Sequence, residues 1–367
     1  MEVISKSEHS SKLELENQEE EIYFNFINSL KSQVTKEAYN TNLKYYLKFC
    51  NLSKLSELLT IQEPQKQIIK YIMSLRGRGL STGSINTMKY AIYHFYQMND
   101  VVLNTKKINM FIGEPTLKTI DRAYTHNEIK KILDISDTRM KSVIGLMFSA
   151  GLRIGAISDL KLRNLEKIES CYKVTVYEGS KEMYYSFTTP EVTSFIDAYL
   201  EYRTQNGEKL DQNSYLIRDQ FDITDIEQIR NESRGIQTGT LKVMLNTLLL
   251  KAGIRTVDRI TPHKRKEVAR AHGMRKFFST MMIKSKVNYE NRLMTEGHSL
   301  GITDHYARIS VEDNYTEYEK AIDLLTINEE NRLRKRVKML EIEKTRLDKL
   351  ESGLKMLEQK YNKSSIA

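Results

Sequence analysis

The sequence predicts a mainly α-helical protein with one small β-hairpin or sheet, built as two domains followed by a C-terminal amphipathic helix. Three observations predict this. Only four prolines (Pro64, Pro115, Pro190 and Pro262) interrupt 367 residues, and the stretches between them carry apolar residues at three- and four-residue steps, the period of a helix with one buried face. Alternating β-branched and aromatic residues around a turn occur in one region, residues 172–189. Near the end, Leu333, Leu340, Leu347 and Leu354 repeat every seven residues with Tyr361 in phase, a coiled-coil spacing. The length suits two domains, each able to bury a real core.

Taken in order, residues 1–21 hold seven glutamates against Lys6 and Lys12. Such a segment buries too little apolar surface to offset its ordering entropy, so a mobile acidic tail is expected, and it has no apolar run like that of a signal peptide. Residues 22–112 form a helical domain. Tyr39, Leu43, Tyr46, Leu47 and Cys50 make one stripe. Ser81 or Thr82 caps a second helix that buries Ile85, Met88, Ile92 and Phe95. Residues 113–122, opening on Gly113-Glu114-Pro115, are a linker. The second domain spans 123–326. Thr125 caps a helix with Ile129, Ile132 and Leu133, and the apolar run Lys141–Ala150 ends at Gly151, a C-cap position. Val174 and Val176, then Tyr184, Tyr185 and Phe187, flank the turn Glu178-Gly179-Ser180-Lys181. Helices resume at Pro190, a connector occupies Arg234–Gly239, and Thr240–Ala252 is an apolar helix. In residues 327–367, Val337 supports a second seam beside the leucines, but Lys344 and Glu351 follow it there while Leu350 and Leu357 shift the phase. This reads as a short coiled coil with another chain or a lone helix docked on the protein's own body.

Composition excludes several classes. No apolar run approaches the roughly 18 residues of a membrane span. Two distant cysteines, Cys50 and Cys171, support neither a disulfide framework nor a cysteine zinc site, which fits a reducing, cytoplasmic setting. Lys+Arg exceeds Asp+Glu by 57 to 48, a net +9. Residues 261–286 concentrate eight basic residues against Glu267, interleaved with Phe277, Phe278 and Met281. That mixture is a core face backed by a basic surface, and it points to a polyanion, most simply nucleic acid.

Four segments carry candidate chemistry: Gly151-Leu152-Arg153, the hairpin Lys181, His272-Gly273-Met274-Arg275 before Lys276-Phe277-Phe278, and Gly297-His298-Ser299 followed by Tyr306. Singly, each has an ordinary explanation as a surface arginine, a solvated lysine, a polar helix face or a common tripeptide. In this order they resemble the tyrosine recombinase (phage-integrase) superfamily, in which Arg, hairpin Lys, His-x-x-Arg, Gly-His and Tyr follow one another. Residues 22–112, with Thr35-x-x-x-Tyr39 and the Leu80-Ser81 helix start, resemble its helical core-binding domain, and residues from about 120 to 325 its catalytic domain.

The resemblance implies a site-specific DNA recombinase that needs neither metal nor cofactor. A tyrosine would attack phosphorus, leaving a 3′-phosphotyrosyl link and a free 5′-hydroxyl. Arg153 and Arg275 would clamp non-bridging oxygens with paired hydrogen bonds. Lys181 would protonate the 5′-oxygen, His272 would assist proton transfer from the tyrosine or hold the phosphate, and His298 would donate to a phosphate oxygen. It further implies a two-domain clamp on double-stranded DNA and a homo-oligomer, four protomers in the synapse, joined by exchange of the helix Val311–Leu325 or of the heptad tail. The expected location is cytoplasmic and DNA-associated. Two departures stand out. The family's acid three residues after the first arginine is Ala156 here, with Asp159 as a replacement only if its helix presents it. The step from His298 to Tyr306 is eight residues where nine is usual, leaving Tyr315 and Tyr318 as rival nucleophiles or as packing residues of one stripe with Ile322 and Leu325. Lys161 and Lys173 are the rivals of Lys181. The competing functions are a non-catalytic DNA-binding accessory protein on the same scaffold and a type IB topoisomerase-like relaxing enzyme.

Overall fold

A computed structural model describes residues 19–114, 121–231, 233–256, 267–299, 301 and 309–364. They fall into two compact units, one within residues 1–118 and one within residues 119–367. Tyr306 and the basic residues Lys264, Arg265 and Lys266 lie outside the described residues.

The first unit is all helical. A helix over residues 19–28 is followed by Gln33–Cys50, Leu55–Leu59, Pro64–Gly77, Thr82–Met98 and Thr105–Asn109. The stripe read from the sequence faces inward: Leu43 and Tyr46 are buried, with Tyr39, Leu47 and Cys50 packed against the same core. Ser81 is the cap of the Thr82 helix, its Oγ accepting from the Ser84 N–H at 3.2 Å. Ile85, Ile92 and Phe95 are buried behind it. One expectation is corrected. The acidic tail does not run to residue 21, because residues 19–21 are already helical and Glu19 accepts from the backbone N–H groups of Leu55 at 2.6 Å and Ser56 at 2.9 Å. A carboxylate there satisfies donors that the first turn of the Leu55 helix leaves open.

The second unit packs helices around a three-stranded antiparallel sheet. Strands β1 (Leu165–Ile168), β2 (Cys171–Val176) and β3 (Tyr184–Phe187) lie in the order β1-β2-β3. The sheet therefore has one strand more than the hairpin the pattern predicts. β1 joins β2 through Glu169-Ser170, with Ile168 opposite Cys171. Glu169 takes φ of 51°, so this turn lacks the Asn-Gly or Asp-Gly that advertises a two-residue loop.

Thr125 caps His126–Asp134 in a capping box with Glu128. Thr138–Ser149 is buried on almost every side, from Met140 to Ser149. Against it lie Pro190–Gln205 and Arg270–Lys284, the latter burying Met274, Phe277, Phe278 and Met282. Burying each such side chain is worth roughly 1.5–3 kcal/mol. A short helix, Ile226–Asn231, precedes Thr238–Lys251, which starts two residues earlier than predicted.

The stripe after residue 310 is two helices, Val311–Glu319 and Ile322–Leu325, where one was expected. Tyr315, Tyr318, Ile322 and Leu325 are all buried in the unit's own core. The end of the chain is one helix, Glu329–Ser364. Its seam residues Leu333, Val337, Leu340, Leu347, Leu350 and Leu354 are 53–60% exposed, so these side chains are not docked on the body of the protein. No helix among the described residues is long and apolar enough to cross a membrane.

Candidate active site

Two helix ends and one strand build the site. The helix Thr138–Ser149 stops at Ala150, and Gly151 takes φ of 64°. A Cβ at Gly151 would sit 2.4 Å from the Phe278 ring, so only glycine lets the chain turn here against the Arg270–Lys284 helix. That turn delivers Arg153 to the N-cap of Ile154–Ile157, with its side chain exposed.

The second end closes Tyr289–Thr295. Glu296 is its C-cap and Gly297 takes φ of 62°. The N–H of Gly297 reaches Met294 O at 3.0 Å and that of His298 reaches Leu293 O at 2.9 Å, a Schellman closure. A Cβ at Gly297 would lie 2.5 Å from the Tyr184 ring, so this glycine also lets the helix end sit on β3.

Arg275 lies between these two ends, 6% exposed. Its Nη1 donates to Gly151 O at 2.5 Å, and its Nη2 donates to Glu296 O and lies 3.3 Å from His298 Nε2. Its guanidinium thus ties both turns together. An open cleft of about 680 Å³ is lined by Arg153, Lys181, Glu182, Tyr184, Gly297 and His298 among others, and Arg275 adjoins it through His298. Burial first, and then the charge of Arg153, pushes the Arg275 pKa down. Burial and then Arg275 likewise push His298 below its ordinary value of 6.5. Cations gathered without enough anions are a place prepared for a phosphate.

Of the six residues read from the sequence, Arg153, Lys181, Arg275 and His298 converge here. His272 lies three residues before Arg275 on the same helix and is exposed. The rival lysines face elsewhere. Lys173 is ion-paired with Glu166, and Lys161 lies over the Tyr215 ring and lines a separate groove of about 290 Å³. The rival tyrosines are packed. Tyr318 is fully buried and donates to Ser149 O at 2.9 Å, and Tyr315 packs edge to face with Phe187 and reaches toward Glu169 Oε2 at 3.5 Å.

Ala156 is buried, and Asp159 lines the groove of Lys161 and Arg163. The helix therefore does not present Asp159 to the Arg153 cleft. One acid at the site was missed in the sequence: Glu296, 4% exposed, whose Oε2 lies 3.4 Å from His298 Nδ1 and whose Oε1 lies 3.1 Å from Arg292 Nη1. Its position just before Gly297-His298 was the available signal. No cluster of three or more His, Cys, Asp or Glu side chains able to hold a metal ion occurs among the described residues.

Comparisons with known proteins give the family and the fold. Residues 122–313 match the phage integrase family. The tyrosine recombinase XerA of Pyrococcus horikoshii is 24% identical over 71% of this chain and 82% of its own. The tyrosine recombinase XerC of Leptospira interrogans is 25% identical over 81% and 91%. Among solved structures, the Tn1549 transposon integrase in complex with circular intermediate DNA aligns with a TM-score of 0.53 at 16% identity, covering 82% of this chain and 98% of that one.

Proposed function

Because the chain belongs to the phage integrase family and is a site-specific tyrosine recombinase, we propose that Arg153, Lys181, His272, Arg275, His298 and Tyr306 are its catalytic residues. The observation that carries this reading is the meeting of Arg153, Lys181, Arg275 and His298 at one cleft. In the proposed reaction the Tyr306 oxygen attacks phosphorus and its proton passes to His272. Arg153 and Arg275 hold the non-bridging oxygens as charge builds, and His298 donates to one of them. The P–O5′ bond breaks, and Lys181 protonates the leaving 5′-oxygen. The 3′-phosphotyrosyl bond keeps the energy of the broken one, so a 5′-hydroxyl can later reverse the step on a new partner without ATP. The packing of Tyr315 and Tyr318 supports Tyr306 as the nucleophile.

Both units are proposed to engage one DNA duplex, with affinity falling steeply as salt rises. The exposed seam of Leu333 to Leu354 favours the C-terminal helix as the element that joins protomers. If deletion of residues 328–367 leaves assembly on DNA unchanged, the tail has no such part.

The central test is covalent trapping. A nicked duplex carrying a candidate site is incubated with wild type and Tyr306→Phe in EDTA. Wild type should form a protein–DNA adduct and Tyr306→Phe none; an adduct that survives the substitution moves the nucleophile elsewhere. Lys181→Ala should slow adduct formation by about 10²–10⁴, the usual worth of a general acid. A 5′-bridging phosphorothiolate should restore it, because a thiolate leaves without protonation. A defect that persists on that substrate would take the acid role from Lys181.

A further inference from the structure

We infer that Glu296 is the positioning carboxylate of this site, holding His298 for the phosphate from the opposite side of the imidazole. The inference rests on the reading of the cleft as the recombinase active site, and it begins from the acid missing at Ala156. Among the described residues, the charged groups that act on His298 besides Glu296 are cations: Arg275 from the Arg270–Lys284 helix, Arg292 from the Tyr289–Thr295 helix and Arg153 from the turn after Gly151; the cleft's other acid, Glu182, is exposed on the hairpin. Tyr184 on β3 adds a phenol whose pKa is raised, chiefly by burial. Among the described residues, Glu296 is the carboxylate in contact with His298, and it acts twice. Its main-chain carbonyl accepts from Arg275 Nη2, and its side-chain Oε2 lies 3.4 Å from His298 Nδ1.

The two contacts of the imidazole fix its orientation. Nε2 faces the Nη2 of Arg275 at 3.3 Å and can only accept from it, which leaves the ring proton on Nδ1, toward Glu296. A phosphate oxygen entering over Arg275 replaces the guanidinium as the partner of Nε2. To donate to it, Nε2 must gain a proton while Nδ1 keeps its own, so the ring becomes an imidazolium between phosphate and Glu296. Without Glu296 the ring would be charged among three arginines with no anion behind it. With Glu296 the proton is stabilised where the phosphate needs a donor, as when a carboxylate orients a catalytic histidine. Glu296 touches neither substrate nor reacting atom, so it is a positioning residue acting through His298.

Glu296→Gln keeps shape and removes charge; Glu296→Asp keeps the charge on a shorter arm. The pKa of His298 is read by NMR in 15N-histidine-labelled full-length protein, and adduct formation is timed on the nicked duplex. The expected results are a His298 pKa below wild type in Glu296→Gln, adduct formation slower on the order of 10- to 100-fold, and partial recovery of both in Glu296→Asp. A slowed reaction with an unmoved His298 pKa would reduce Glu296 to a structural partner of Arg292 and overturn the inference. So would a moved pKa with an unchanged rate. A wild type that forms no adduct on any duplex would fail the recombinase reading instead, while the titration would still report whether the two residues are coupled.

Discussion

Arg203 and Arg275 are both buried guanidiniums of the second unit, 0% and 6% exposed, held in opposite ways. Arg203 donates to both oxygens of Glu208, at 2.8 and 2.6 Å, and to the carbonyls of Tyr215 and Leu216. Arg218 adds a second cation 3.0 Å from the same carboxylate, and Ser233 donates to it at 2.9 Å. Burial pushes the Glu208 pKa up, but Arg203 and Arg218 outweigh that and hold it below the usual range. The acid is saturated with donors, no room is left for a ligand, and the cluster is a staple. Around Arg275 the balance is reversed: its carbonyl partners are neutral, Arg153 and Lys181 stand exposed along the adjoining cleft, the Glu296 carboxylate is turned to His298 and Arg292, and Glu182 lies on the exposed hairpin. Burial of an arginine therefore says little about function. The excess of cation over anion beside an open cleft separates a site from a staple.

The contrast can be broken from either side. Glu208→Gln leaves two buried arginines without their anion and should cost about 3–5 kcal/mol of stability, seen in denaturant unfolding. The protein that remains folded should form adduct at the wild-type rate; a rate loss exceeding the unfolded fraction would tie the staple to catalysis. Arg153→Ala should do the converse. Its side chain is exposed, so the melting temperature should hold while adduct formation falls by about 10²–10³, the worth of one preplaced donor to a charged transition state. A melting temperature that drops with the rate would make Arg153 a structural residue.

The smallest effect is in pH. His126, packed on Phe277 with Nε2 2.7 Å from Leu324 O, and His94 in the first unit are both held below the usual 6.5, chiefly by burial. Their unfolded forms take up protons first as pH falls, so the stability they contribute is present above about 6.5 and is lost as pH drops through their folded-state values. Thermal melts from pH 7.5 to 5 should show a modest decline that His126→Gln reduces. A decline of equal size in that variant would assign it to other groups.

Much of the molecule was legible because it is locally encoded. The stripes through Leu43 and Tyr46, and through Ile85, Ile92 and Phe95, follow helical spacing, and the caps at Ser81 and Thr125 are set by side chains within three residues. β1 was not legible: its four residues run half-buried, exposed, exposed, half-buried, with no alternation, and its turn rests on a glutamate at positive φ. The break at Lys320–Ala321 between the two helices of the Tyr315–Leu325 stripe was hidden as well, since both halves keep one buried face in phase.

For the site, the sequence by itself determined the kinds of groups and their order, because an arginine fork, a lysine and an imidazole carry their chemistry wherever the chain puts them. Only the tertiary structure decided which of them meet. It took Lys161, Lys173, Tyr315 and Tyr318 out of the cleft by packing or pairing them elsewhere. It turned Asp159 to another groove, and it brought Glu296 against His298 through a helix end that Gly297 closes. Spacing along a chain fixes local geometry over a few residues. The balance of charge at a point in space is summed over segments more than a hundred residues apart, as in the bond from Arg275 to Gly151, and folding alone performs that sum.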